Sequence, residues 1–294
     1  MKAVDLFAGC GGLSLGFEQA GVEVVAAFEV WDAAVECYRA NFNHPVLQKD
    51  LSDPIAAANE IRPFAPDVII GGPPCQDFSY CGKRVEAARA DLTDAFSRIV
   101  ADLKPRFFVM ENVDAAQKSN TYAKARENFV AAGYGLTEVV LNASLCGVPQ
   151  RRRRFICFGA QAMQDQFALM TIQSKLSTKP TTLRDYFGDS LGFQFYYRHP
   201  RNYTRRGIFS IDEPAPTMRG VNRPVPKGYP GHPLDPCPPS RDLHVLTPQE
   251  RAQIQTFPPD FKWIGSRTAV EQMIGNAVPV ALGKFVAEVV KTFE

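Results

Sequence analysis

Four short stretches of this sequence hold residue types whose chemistry depends on how the chain presents them. In GGPPCQDFS (71–79), Cys75 follows two glycines and two prolines, directly after the apolar run 67–70. A cysteine is a nucleophile only as its thiolate, and helix-terminal amides at a strand-to-helix turn lower a thiol's pKa. The prolines stiffen that loop, so the sulfur is presented rather than buried. In MENV (110–113), Glu111 ends an apolar run, where a half-buried carboxyl can act as a proton donor or can cap the next turn. PQRRRRFICFG (149–159) carries four consecutive arginines into an apolar strand. Side chains alternate along a strand, so Arg152 and Arg154 share one face and Arg151 and Arg153 the other; either pair can enter a site or neutralise phosphate. DLFAGCGGLSLGF (5–17) runs a strand into Gly9, Gly11 and Gly12 and then a helix, a turn that lets backbone approach a nucleotide-like ligand closely. Ser14 stands where a strict GxGxxG would have its third glycine. Glu29, at the end of the next apolar run, lies where an acid accepts from ribose hydroxyls. Asp50, in QKDLSD, is placed to end a third strand and accept from an adenine amino group.

The elements that must position these residues alternate. Apolar runs at 3–7, 23–28, 68–70, 107–111, 136–141 and 155–158 read as strands, with amphipathic helical patterns at 13–19, 32–41, 92–102 and 122–132 between them. That alternation predicts an α/β fold with a doubly wound, mostly parallel sheet, whose strand-end turns carry the chemistry. Residues 1–160 are expected to form a catalytic, cofactor-binding domain. Residues 161–245 form a smaller, loop-rich domain, because 198–239 hold many of the prolines and glycines and 198–227 hold seven basic side chains against Asp212 and Glu213. Residues 246–294 resume helical patterning, with Thr247 as N-cap and Pro248 at the first helical position, and return to the first domain. The 294 residues carry a net charge of +2, so only local clustering points to nucleic acid. The seven cysteines include no CxxC pair, which predicts free thiols and no metal site; Cys10, Cys37, Cys146 and Cys157 are expected in the core. No charged leader precedes the first strand and no window approaches eighteen consecutive apolar residues, so a cytoplasmic protein without membrane contact is expected.

Taken together and in this order, DLFAGCGGLSLGF, FEVWDAAVECYRANF, QKDLSD, GGPPCQDFS, MENV, QRRRR, LTPQERAQIQTFPPDF and IGNAVPVALGK resemble the cytosine-C5 DNA methyltransferases over nearly the whole chain. The resemblance implies a Rossmann-like S-adenosylmethionine-dependent fold with a target recognition domain. It places Phe7, Gly9, Gly11 and Gly12 around the cofactor, Glu29 on its ribose, Asp50 on its adenine amino group, and Val30, Leu51, Pro74, Asn276 and Ala277 on the same pocket. Cys75 becomes the nucleophile and Glu111 the contact to cytosine N3. Gln150, Arg152 and Arg154 fall on a QxRxR pattern, with Arg154 on the base's O2. Gln76 and Ser79 hold the flipped nucleotide or fill its gap, Thr217 lies near the target, and Arg205, Arg206 and Arg219 join Gln150 in contacting DNA. The sequence departs from the family at Trp31, often acidic, and at Val30, the adenine-packing position.

C5 of cytosine is a poor nucleophile. Adding a thiolate across C6 makes it enamine-like, which is the covalent catalysis that Cys75 would serve, and the base must first leave the duplex. The implied partners are double-stranded DNA and a separately acting restriction endonuclease, with the enzyme a monomer. A tRNA cytosine-5 methyltransferase shares these blocks, but that branch's Cys-Phe-Thr tripeptide is absent. A Rossmann dehydrogenase would leave PPCQ, MENV and QRRRR without work, and a silent DNA-binding protein would not need Cys75 with Glu111.

Overall fold

The computed structural model describes residues 1–74, 92–202, 204–240 and 242–294, so Cys75, Gln76 and Ser79 lie outside the described residues. The first part alternates β1 (Lys2–Leu6), α1 (Gly12–Gln19), β2 (Glu23–Glu29), α2 (Asp32–Arg39), β3 (Val46–Gln48), α3 (Pro54–Ile61), β4 (Val68–Gly71), α4 (Leu92–Leu103), β5 (Phe107–Val113), α5 (Asn120–Ala131), β6 (Tyr134–Asn142), β7 (Gln150–Arg151) and β8 (Arg153–Gln161). Seven strands form one sheet in the order β3-β2-β1-β4-β5-β8-β6. Pairings from β3 through β5 are parallel, whereas β8 runs antiparallel to both β5 and β6. The order reverses between β1 and β4, which opens a crevice at the carboxyl ends of these strands. Because β8 enters from that same edge, its first residues meet the end of β5: Arg154 stands opposite Val113.

Strand alternation distributes the core over both faces. Ala3 packs with Leu13, Phe17, Leu282 and Val286 on one side, while Val4 and Leu6 pack with Ile61, Phe96 and Phe129 on the other. Stacking of Phe108 on Phe129 at 4.1 Å anchors the second side; each such buried ring contributes about 1.5–3 kcal/mol. The α3 helix starts where Asp53 accepts from the amides of Ile55 and Ala56, with Pro54 in the first turn.

Beyond β8 come α6 (Leu169–Lys175), α7 (Leu183–Phe187), β9 (Phe195–Tyr197), β10 (Ile208–Ser210), β11 (Ala215–Pro216) and β12 (His244–Val245). A three-stranded sheet β10-β9-β12 and the small clusters around Tyr196 and Tyr197 give this lobe its own core. β11 pairs with β7 in a separate two-stranded sheet, which ties the lobe to the segment that leads directly into β8. The chain then returns through α8 (Pro248–Ile254), α9 (Arg267–Asn276) and α10 (Val280–Lys291). Thr247 and Glu250 cap α8 reciprocally, with Pro248 in its first turn. Stretch Arg267–Lys291 is long and apolar enough to cross a membrane, yet it is two helices split at 277–279 and is largely buried in the protein. α10 lies against α1 so closely that a Cβ on Gly16 would come 2.5 Å from the Val280 carbonyl oxygen.

Candidate active site

At the carboxyl ends of β1, β2, β4 and β5 lies a cavity of about 480 Å³, in the range of small-molecule sites. Its first wall is the turn after β1. Phe7 and Gly9 both have positive φ, 58° and 56°. For Phe7 this is a strained conformation held by the surrounding fold. A Cβ on Gly9 would meet nothing within 4 Å, so the backbone there borders open space. Glu29 organises the turn: one carboxylate oxygen accepts from the Gly9 amide at 2.8 Å, the other from the amides of Val30 at 2.9 Å and Trp31 at 2.8 Å. Asp50 and Leu51 close the next side, beyond β3 rather than at its end, with Asp50 accepting from the Ser52 amide at 2.9 Å. Val30, left 58% exposed, offers an apolar face at the cavity.

Gly11 and Gly12, expected on a cofactor, do not line the cavity. A Cβ on Gly11 would lie 2.4 Å from the Phe42 ring and 2.9 Å from Tyr38, and one on Gly12 would lie 2.2 Å from the Val278 carbonyl oxygen. These glycines let α1 sit under α2 and the C-terminal segment; of the three, Gly9 is the one that borders the cavity.

The opposite wall carries the charged pair. Arg154 Nε lies 2.8 Å from Glu111 Oε1, with the two side chains 14% and 11% exposed. A Cβ on Gly72 would stand 3.2 Å from the other Glu111 oxygen. Asn112 Nδ2 donates to the Pro73 carbonyl at 3.0 Å. The carboxyl-guanidinium pair is thus held beside the loop through Pro73 and Pro74, both at the cavity, that leads into Cys75.

Arg152 turns the same way as Arg154 and is 1% exposed. It does not offer a free guanidinium. Its nitrogens donate to the carbonyls of Met218 at 3.2 Å, Gly275 at 3.2 Å and Ala277 at 3.0 Å. Burial, and next the charge of Arg154, push its pKa well down from the usual arginine value. Gln150, expected on DNA, is instead fully buried: its amide donates to Gln255 Oε1 at 2.6 Å and accepts from the Met218 amide at 2.9 Å. Gln255 in turn holds the carbonyls of Ile274 and Ala277. Gln150 and Arg152 therefore brace the cavity wall at Asn276 and Ala277 against Met218, just after β11.

Above β7 is a basic hollow bordered by Arg151, Arg198, Arg201, Arg205, Thr217 and Arg219, among others. Its arginines are not equivalent. Arg206 is engaged by Glu213 in a two-pronged ion pair and lies 4.5 Å over the Phe209 ring. Arg219 donates to the His199 carbonyl, and Thr217 donates to the Arg151 carbonyl at 2.9 Å. Arg201 and Arg205 remain exposed.

Several cavity residues were not singled out by sequence reasoning. Lys49 borders it, as do Trp31, noted above only as a departure from the family, and Cys10, which is as buried as expected. Asp5, 1% exposed, accepts from Ser14 Oγ at 2.6 Å, while its second oxygen has no hydrogen-bond partner. Burial pushes its pKa up to about 7. The visible signal was an acid inside the apolar strand KAVDL.

The family model for C-5 cytosine-specific DNA methylase matches residues 1–292. Type II methyltransferase M.HindV of Haemophilus influenzae is 54% identical, covering 100% of this chain and 97% of its own. Type II methyltransferase M.HgiDI of Herpetosiphon aurantiacus is 50% identical over 98% of this chain and 93% of its own. Among solved structures, the S. pombe Dnmt2 methyltransferase superposes with a TM-score of 0.76 at 16% identity, covering 100% of this chain and 99% of that one. A putative DNA modification methyltransferase encoded in an E. coli prophage superposes with a TM-score of 0.70 at 22% identity, covering 99% of each chain. At these identities the structural likenesses bear on the fold alone.

Proposed function

Because the chain belongs to the C-5 cytosine-specific DNA methylase family and is a DNA methyltransferase, we propose that it methylates C5 of a flipped-out cytosine in duplex DNA through a covalent Cys75–C6 adduct. The observation that carries this reading is the Glu111–Arg154 pair held beside the Pro73–Pro74 loop. Attack of the Cys75 thiolate on C6 drives charge toward N3 and O2. The Glu111 carboxyl meets N3, and Arg154 meets O2, where that charge develops. C5 then carries the electron pair that takes the methyl group; loss of the C5 proton and expulsion of the thiolate restore the aromatic ring. Flipping costs roughly a few kcal/mol and exposes the ring face that the sulfur needs.

The cavity's own residues fit S-adenosylmethionine. Glu29 offers carboxylate oxygens for ribose hydroxyls, Asp50 an acceptor for the adenine amino group, and Phe7, Val30 and Leu51 apolar faces, with Gly9, Pro74, Asn276 and Ala277 completing the enclosure. The cofactor supplies an electrophilic methyl group. Arg201, Arg205 and Arg219, with Thr217, form the DNA-facing side, where Arg206 contributes through Glu213 rather than as a free charge. The enzyme acts as a cytoplasmic monomer beside a separate restriction endonuclease.

Duplex DNA substituted with 5-fluorocytosine tests the chemistry, because fluorine at C5 cannot leave as a proton. The wild type with cofactor should leave a protein–DNA adduct that survives denaturation, and Cys75→Ser should leave none. Methyl transfer to duplex DNA without any trapped adduct would refute the covalent route, and transfer to tRNA alone would refute the substrate.

A further inference from the structure

The Asp5 carboxyl has no part in the chemistry above, yet it borders the cavity, almost wholly buried, with one oxygen unpartnered. Its other oxygen begins a continuous line of hydrogen bonds. Ser14 Oγ is 2.6 Å from Asp5, the Tyr38 hydroxyl is 2.7 Å from Ser14 Oγ, and His44 Nε2 is 2.6 Å from that hydroxyl. His44 Nδ1 lies 3.1 Å from Glu18, whose side chain is 36% exposed. Ser14 and Tyr38 are fully buried. The line therefore joins the cavity to the surface through groups that can each pass one proton and take up another.

An isolated buried carboxylate is costly, whereas one facing a cation is not. The resting cavity gives Asp5 little positive charge nearby. Glu29 adds negative charge, Cys10 and Tyr38 are held neutral by burial, and β4 offers Ile70 at the neighbouring register. Arg152 is spent on backbone carbonyls, Arg154 on Glu111, and Lys49, on the β3 side of the cavity, on Glu60 at 2.8 Å. We propose that Asp5 is the proton-exchanging counter-charge of this cavity: when a cationic ligand enters, it gives its proton to solvent through Ser14, Tyr38, His44 and Glu18, and stays behind as the carboxylate facing the cation. The step balances. In the acid form the two hydroxyls turn outward, Asp5 donating to Ser14, Ser14 to Tyr38 and Tyr38 to His44 Nε2. The Asp5 proton then passes to Ser14 Oγ, that of Ser14 to Tyr38, that of Tyr38 to His44 Nε2, and that on His44 Nδ1 to Glu18 and water, which leaves the hydroxyls donating toward Asp5 as they do in the structure. One proton enters the line and one leaves, and each donor ends oriented toward Asp5. The proposal rests on the reading of the cavity as an S-adenosylmethionine site and adds a consequence: Asp5 distinguishes the sulfonium cofactor from S-adenosylhomocysteine, whose sulfur is neutral.

Titration calorimetry of the full-length protein with S-adenosylmethionine, in buffers of different ionisation enthalpy, reads the proton directly. Near pH 7 about half a proton should be released per cofactor bound, less with S-adenosylhomocysteine, and the affinity ratio of the two should widen as pH rises from 6 to 8. Asp5→Asn should bind cofactor without release. Ser14→Ala, which removes the donor that favours the carboxylate, should move the pH of greatest release upward. Wild-type binding with no buffer-dependent heat, or release that persists in Asp5→Asn, would overturn the proposal while leaving the cofactor site intact. Absence of any binding would remove the cofactor reading itself and the proposal with it.

Discussion

Replacing Arg152 by methionine removes a guanidinium while keeping a side chain of similar reach. Two of its three carbonyl partners, those of Met218 and Gly275, would lose the donor that Arg152 supplies, while Ala277 keeps Gln255 at 3.2 Å. Each buried carbonyl left without a donor costs about 1–3 kcal/mol. Two such losses give roughly 2–6 kcal/mol, and relief from burying a charge offsets part of this, leaving a net loss of about 2–4 kcal/mol. For a chain of this size that lowers the thermal midpoint by roughly 3–6 °C. Because Gly275, Asn276 and Ala277 form one cavity wall, cofactor affinity measured by calorimetry should fall by about tenfold or more, an extra 1.4 kcal/mol that a uniform loss of stability does not require. Lysine should recover little, since a compact ammonium cannot reach carbonyls spread over two segments. A cycle with Gln255→Ala should be non-additive by about 0.5–3 kcal/mol, because both side chains serve the Ala277 carbonyl. An Arg152→Met protein with wild-type midpoint and wild-type cofactor affinity would refute the brace.

Three further outcomes follow from the geometry. Gly16→Ala, usually stabilising by about 1 kcal/mol in a helix, should here destabilise by about 1–3 kcal/mol in urea unfolding, since the new Cβ would meet the Val280 carbonyl at 2.5 Å and the Lys284 amide at 2.6 Å. Asp5 has a folded-state pKa raised from 3.8 to about 7, so the folded state holds its proton more tightly and stability falls as pH rises between those values, by on the order of 4 kcal/mol in all. Asp5→Asn removes that slope, and its lead in unfolding midpoint over the wild type should grow from pH 5 to pH 8; a constant difference would contradict the buried acid. Arg154→Ala should lower kcat by about 10²–10³ with only a few-fold change in duplex DNA affinity in a gel-shift titration, and proportional losses would make it a phosphate contact.

The strands were legible because parallel core strands are continuous apolar runs, and each expected run lies within or overlaps an observed strand. Direction was not: the antiparallel insertion of β8 between β5 and β6 leaves no mark in periodicity. α3 was missed because PIAAANEI is short and its alanines give a weak apolar stripe. Glycines look alike whether a ligand or a protein atom needs the space, so Gly9 could not be told from Gly11 and Gly12. Gln150 misled for a related reason: a polar residue beside arginines suggests an outer face, but its partner Gln255 comes 105 residues later. The inward pairing of Arg152 with Arg154 followed from alternation alone, and what alternation could not say is that one guanidinium would be consumed by backbone.

One cavity wall comes from residues near the end of the chain, after the recognition lobe. During synthesis from the N-terminus, the ribosome thus delivers the strands of the sheet and the whole arginine-rich lobe before Asn276 and Ala277 exist to close the cavity. A nascent chain that can already be drawn to polyanions by its arginines has no finished pocket. Ligand capture is deferred until α10 docks on α1, so translation order itself separates the acquisition of charge from the acquisition of catalytic competence.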